Sequence, residues 1–217
     1  MSTDIKHHLN DAILMAYAAG TLPEAFNLLV ASHLSLCDTC RAQAETFDAL
    51  GGEIMEQMDA ATPLPAGSFE QTLALISGGP VETPHEARAA CDVLPRPVRD
   101  YVGGDLSTIR WKPVGMGVKQ AILPTSSDAS ARLLFIPAGT AMPDHGHGGT
   151  EMTMVLQGAF QDADDRFARG DVEIAGSDLH HTPVADAGAD CICLAVADAP
   201  LQFNRLMPKI AQRFLRI

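Results

Sequence analysis

Four prolines, Pro80, Pro84, Pro95 and Pro97, crowd the stretch from Gly79 to Pro97, which has little apolar periodicity of its own. Proline lacks the backbone N–H that helix and sheet ladders need, so the stretch reads as a linker over 80–97. The texture differs on its two sides. Before it, apolar residues recur at helical spacing; after it, short alternating runs are broken by Gly, Pro and Asp. The 217 residues have room for two small domains, each expected to form its own core. The predicted boundaries are 1–79 for a helical domain and 98–217 for a β domain.

In the first region Leu9, Ile13, Leu14 and Tyr17 predict a helix over His7 to Ala19, with Gly20 at its C-terminal cap. Pro23 suits the first turn of a second helix through Leu34, and Asp38 could cap a third, to about Met58. Ser68 could cap a fourth, in which Phe69, Thr72, Leu73 and Ile76 share one face. Beyond the linker, Val118 to Leu123, Arg132 to Ile136, Glu151 to Leu156 and Cys191 to Val196 predict strands of a sandwich or barrel.

Charge excludes some functions. Of 15 basic and 27 acidic residues, two basic and ten acidic lie in 1–78, a balance of -8; the remaining 139 residues carry 13 and 17, a balance of -4. An acidic helical region repels phosphate backbones and attracts basic proteins, so direct nucleic-acid binding is disfavoured and a DNA-binding protein is a natural partner. No apolar run reaches the roughly 18 residues of a membrane helix. The polar start MSTDIKHHLND has no signal-peptide pattern, so no membrane association and a cytoplasmic location are expected.

His33, Cys37 and Cys40 form H-x3-C-x2-C, which sets three zinc donors on one helix-turn segment. A fourth donor must come from elsewhere, and His7 or His8 at the start of the first helix could supply it. This pattern resembles the zinc-binding anti-sigma factors, most closely the ChrR family. The resemblance implies Zn2+ on His8, His33, Cys37 and Cys40. It also implies a helical bundle that lodges between the two principal domains of an extracytoplasmic-function (RpoE-like) sigma factor and blocks its binding to core polymerase.

A second constellation, Gly139-x5-His145-x-His147-x3-Glu151-x6-Gly158, matches the first cupin motif in full. His145 and His147 alternate onto one side of a strand, and Glu151 can arrive from the next. The later motif is degenerate: Ala175-Gly-Ser-Asp-Leu-His180-His181 stands where Pro-x-Gly-x-x-His is usual. PDHGH, VLQGAF, DRF and HTPV again resemble the ChrR family, and alignment on His-Thr-Pro-Val makes His181 the remaining ligand. The donors suit Zn2+ or another divalent transition metal, with zinc the choice by resemblance. Cys191 and Cys193 point to one face of a strand and are candidates for redox chemistry, whereas Cys91 and Trp111 carry no signal of their own.

The predicted fold is therefore multidomain α and β, an N-terminal zinc-binding helical bundle plus a C-terminal cupin β-barrel. The expected function, by resemblance, is an anti-sigma factor without enzymatic activity whose cupin responds to singlet oxygen or organic hydroperoxides. The alternative is a metal-dependent cupin enzyme, a dioxygenase or isomerase, with a helical zinc-binding appendage. The sequence displays no further acid–base set around the cupin ligands to support it.

Overall fold

The computed structural model describes residues 5–58, 63–79 and 93–203. Cys91 and most of the expected linker lie outside them. Helix α1, Asp11–Ala18, starts later than the periodicity predicts because Asn10 caps it, its side chain accepting the Ile13 N–H at 2.9 Å. The Lys6 and His7 backbone is drawn elsewhere, so His7 and His8 precede the helix rather than begin it. Helix α2, Glu24–Leu34, begins after Pro23, and α3, Asp38–Glu56, is capped by Cys37 rather than Asp38, through a Cys40 N–H to Sγ contact of 3.4 Å. Helix α4, Ser68–Ser77, follows Gly67, whose φ of 83° lies in the left-handed region where glycine is strain-free.

Pro95 and Pro97 do not belong to a linker. They initiate helix α5, Arg96–Val102, where proline's fixed φ and missing N–H suit a first turn. Leu94 and Val98 of this segment are buried.

The strands are β1 Lys112–Gly115, β2 Val118–Leu123, β3 Ser130–Ile136, β4 His145–His147, β5 Glu151–Gln157, β6 Ala159–Gln161, β7 Arg166–Ala168, β8 Val172–Ala175, β9 His180–His181, β10 Val184–Ala185, β11 Cys191–Ala197 and β12 Leu201–Phe203. All named pairings are antiparallel. One sheet runs β1-β2-β3-β11-β5-β8; two smaller sheets, β10-β6-β7 and β12-β4-β9, lie apart from it. Alternation along the large sheet separates two faces. Leu133, Met152, Met154 and Leu194 join one core, while Ile136, Val155, Cys191 and Cys193 join the other, inside the barrel.

The expectation of one core per region fails. Leu14 of α1 and Leu29 and Val30 of α2 belong to the same buried cluster as Leu133, Met154 and Leu194 of the sheet. The outer face of the large sheet is apolar and must be covered, and α2 is buried nearly all round because it serves both the helices and the sheet.

Candidate metal centres

The first donor set assembles where three elements meet. His33 ends α2, Cys37 caps α3, Cys40 lies in the first turn of α3, and His8 comes from the extended segment before α1. One donor atom of each lies within 4.8 Å of the others. The His8 Nδ1 is 3.3 Å from Cys37 Sγ and 3.5 Å from Cys40 Sγ. His33 is fully buried, and its Nδ1 donates to the Gly170 carbonyl at 2.9 Å. That bond fixes the tautomer and leaves a lone pair on Nε2, a buried atom without a hydrogen-bond partner. Burial, with only partial relief from the Gly170 bond, pushes the His33 pKa down to about 4, so the ring is neutral, as a metal ligand must be. Burial also drives the Cys40 thiol up to about 11; a divalent cation would reverse that shift by coordinating the thiolate. An orphaned imidazole nitrogen beside two thiols and a second imidazole fits tetrahedral zinc.

His7 takes no part in this set. Its ring packs on Phe167 at 4.3 Å between centroids, and its Nε2 bonds Asp165 Oδ2 at 2.8 Å. The segment carrying it is pinned to the barrel. Asp171, 2% exposed, accepts the Lys6 and His7 N–H groups on Oδ1 at 2.7 and 3.0 Å, while Val172 N–H donates to the His7 carbonyl at 3.2 Å.

The second set is built by β4 and β9. Their register puts His145 opposite His181 and Gly146 opposite His180. His145, His147 and His181 are buried, with donor atoms within 4.8 Å of one another. The His145 Nδ1 donates to the Pro143 carbonyl at 2.8 Å, and His181 Nδ1 faces Glu173 at 3.1 Å and Asp162 at 3.3 Å. Both rings therefore turn Nε2 inward, 3.3 Å apart. Neither nitrogen of buried His147 has a hydrogen-bond partner. Three inward imidazoles, one of them orphaned, fit a divalent transition metal. His180 lies outside: a Cβ on Gly146 would meet its ring at 2.4 Å, so a larger residue there requires this exposed ring to swing away.

Glu151 lies against the His147 ring of this set. Its Oε2 is 3.4 Å from His147 Nδ1, outside hydrogen-bond geometry, and Oε1 accepts the Thr153 hydroxyl. The three-imidazole cluster does not include it. Burial opposes its ionisation, but His147 and His145 outweigh this and lower its pKa. Asp162 and Glu173 were not singled out by the sequence, although with His181 they make another donor cluster. Burial disfavours charge on His181, yet Glu173 and Asp162 raise its pKa; burial itself raises that of Glu173. A carboxylate in the apolar run of β8 was the available signal for Glu173; Asp162 was hidden in a DADD turn.

Cys191 and Cys193 are buried on the inner face of β11 as free thiols, Sγ atoms 3.5 Å apart. The Cys191 contact and burial push the Cys193 pKa well up, which suppresses the thiolate that redox attack needs.

The ChrR Cupin-like domain family matches residues 100–201. The anti-sigma-E factor ChrR of Cereibacter sphaeroides is 56% identical over 213 residues, covering 98% of this chain and 99% of that protein. A crystal structure of Rhodobacter sphaeroides SigE in complex with the anti-sigma ChrR superposes with a TM-score of 0.78 at 53% identity, covering 89% of this chain and 99% of that one.

Proposed function

The chain belongs to the ChrR family of anti-sigma factors, and from that premise we propose that it sequesters an extracytoplasmic-function sigma factor through its helical region and releases it when the cupin responds to reactive oxygen. The observation that carries the repressor reading is apolar surface. Leu50, Ile54, Met55, Met58, Leu64, Phe69, Leu73, Leu75 and Ile76 are each 50–81% exposed, and no residue of α4 is buried. A concentration of large apolar side chains of this kind marks a surface that a partner covers. The -8 balance of residues 1–78 favours a basic partner, as a DNA-binding sigma factor is. The relatives named as anti-sigma factors match along nearly the whole chain, which favours a repressor over a cupin enzyme.

In this reading residues 1–79 bind the sigma factor, and 98–217 together with the Pro95–Pro97 start of α5 form the sensor. Zinc rests on His8, His33, Cys37 and Cys40, where it would hold the three helical elements in register. His145, His147 and His181, with Glu151 alongside, hold the cupin metal. No helix among the described residues is long and apolar enough to cross a membrane, consistent with a cytoplasmic regulator. Singlet oxygen or an organic hydroperoxide acts at the cupin, and the change travels through the seam between the regions. The turn Asp162–Asp165 supports this route: Asp162 faces the His181 ring, while Asp165 bonds His7, next to His8. An oxidant that shifts His181 therefore has a four-residue path to the zinc segment.

Transcription assays with the intact protein test the repressor reading. Leu73→Asp and Ile76→Asp should abolish sigma capture and repression while zinc content and melting stay unchanged, because both side chains are exposed. Full repression by the double variant would refute the assignment of this face.

A further inference from the structure

The barrel encloses a cavity of about 1150 Å3 whose size exceeds what a metal and its waters require. Its walls are mainly apolar, formed by Val118, Ile122, Leu134, Ile136, Met142 and Phe160. Ile122, 42% exposed, and the β1–β2 turn mark its mouth. That turn places Met116 at a φ of 52°, a conformation strained for a non-glycine residue, and its exposed side chain lies on the rim.

Arg132 projects into this space, whose other end carries Glu151 and Glu173 beside the histidines. Arg132 lies on the inner face of β3, where the register sets it across from Ala195, then Thr153, then Glu173. The small Ala195 leaves room beside the guanidinium. Among the described residues its hydrogen-bond partners are neutral and distant: Gln120 Oε1 at 3.4 Å and Ser130 Oγ at 3.3 Å. Glu151 attracts this largely buried guanidinium through charge, but among the described residues no carboxylate hydrogen-bonds it, so its planar fork of donors, which matches a carboxylate bidentately, is left for a ligand. The neighbouring metal set adds positive charge when occupied.

We propose that the barrel interior binds an aliphatic carboxylate of medium or longer chain, with its carboxylate on the Arg132 guanidinium and its chain along the apolar wall. The site extends the cupin beyond its metal: the histidines hold an ion, and Arg132 with the wall selects an organic amphiphile. The proposal is independent of sigma binding.

Calorimetric titration of the zinc-loaded intact protein with decanoate, and with 1-decanol as the neutral analogue, is the test. Decanoate should bind at one site, and decanol roughly ten-fold or more weaker, the loss expected for a charge-assisted pair. Arg132→Gln should bind the two probes alike, and Arg132→Lys should recover part of the preference. If Arg132→Gln does not fold, the wild-type comparison of the two probes decides alone. No saturable decanoate binding by folded wild type, equal binding of decanol, or wild-type decanoate affinity in folded Arg132→Gln would overturn the proposal. Sigma capture measured on the same preparations separates the outcomes, because retained capture with absent decanoate binding removes the ligand site and leaves the repressor reading standing.

Discussion

Replacing Asp171 with alanine probes the seam between the zinc set and the barrel. The carboxylate accepts three backbone N–H groups, from Lys6 at 2.7 Å, His7 at 3.0 Å and Ala168 at 2.8 Å. Bonds to a charged acceptor contribute about 1.5–3 kcal/mol where water cannot replace them. Lys6 is exposed and His7 half-buried, so their N–H groups regain water and count for less. The expected loss is about 3 kcal/mol, drawn mainly from the Ala168 bond and the packing of the turn. Burial opposes ionisation of Asp171, but the His7, Ala168 and Lys6 N–H groups outweigh it and lower its pKa from 3.8. A depressed folded value means that this stability is present above the unfolded value and lost as pH falls through the folded one, so it is whole at pH 7.5. The segment bearing His8 loses one anchor and keeps the Val172 N–H bond to the His7 carbonyl and the His7–Asp165 bond, so zinc binding should weaken by about ten-fold, the low end for loss of an outer partner. Thermal melting and zinc competition with a chelator measure both effects. Wild-type zinc affinity in Asp171→Ala would show that the Asp171 bonds do not position the segment for zinc.

Cys37→Ser or Cys40→Ser should remove zinc and sigma binding together, because one thiolate lost from a four-donor site forfeits much of the folding energy that metal supplies; metal analysis and capture should move in parallel. Gly146→Ala should keep its cupin metal, because the exposed His180 ring that its Cβ would meet at 2.4 Å can rotate away; metal analysis showing a loss in Gly146→Ala that His180→Ala restores would mean that the ring is held in place. Leu194→Ala should destabilise by about 2–5 kcal/mol and lower the melting of the helices and the barrel in one transition, because Leu194 belongs to the core that both share; two separate transitions by calorimetry would contradict the shared core.

Residue spacing within an element was enough to read much of this chain. A separation of four residues puts His33 and Cys37 on one side of a helix end, and a separation of two puts His145 and His147 on one side of a strand. The run Val118–Leu123 is β2, and the C-terminal ends of the helices fell near their predicted positions. Resemblance named the sets, but local spacing could not choose between His7 and His8, because neighbours in an extended segment point apart and the choice depends on what lies on each side. The barrel decides it: Phe167 and Asp165 take His7, which turns His8 toward the thiols. The roles of Glu173 and Asp162 around His181, the place of Glu151 beside the imidazoles, and the helix begun by Pro95 and Pro97 were decided in the same way. The shared core is the largest such outcome. Asp171 meets Lys6 across 165 residues of sequence, and contacts of that range follow from how whole elements dock. Periodicity shows which face of an element is apolar, and only the docked structure shows that α2 and the outer face of the large sheet cover each other.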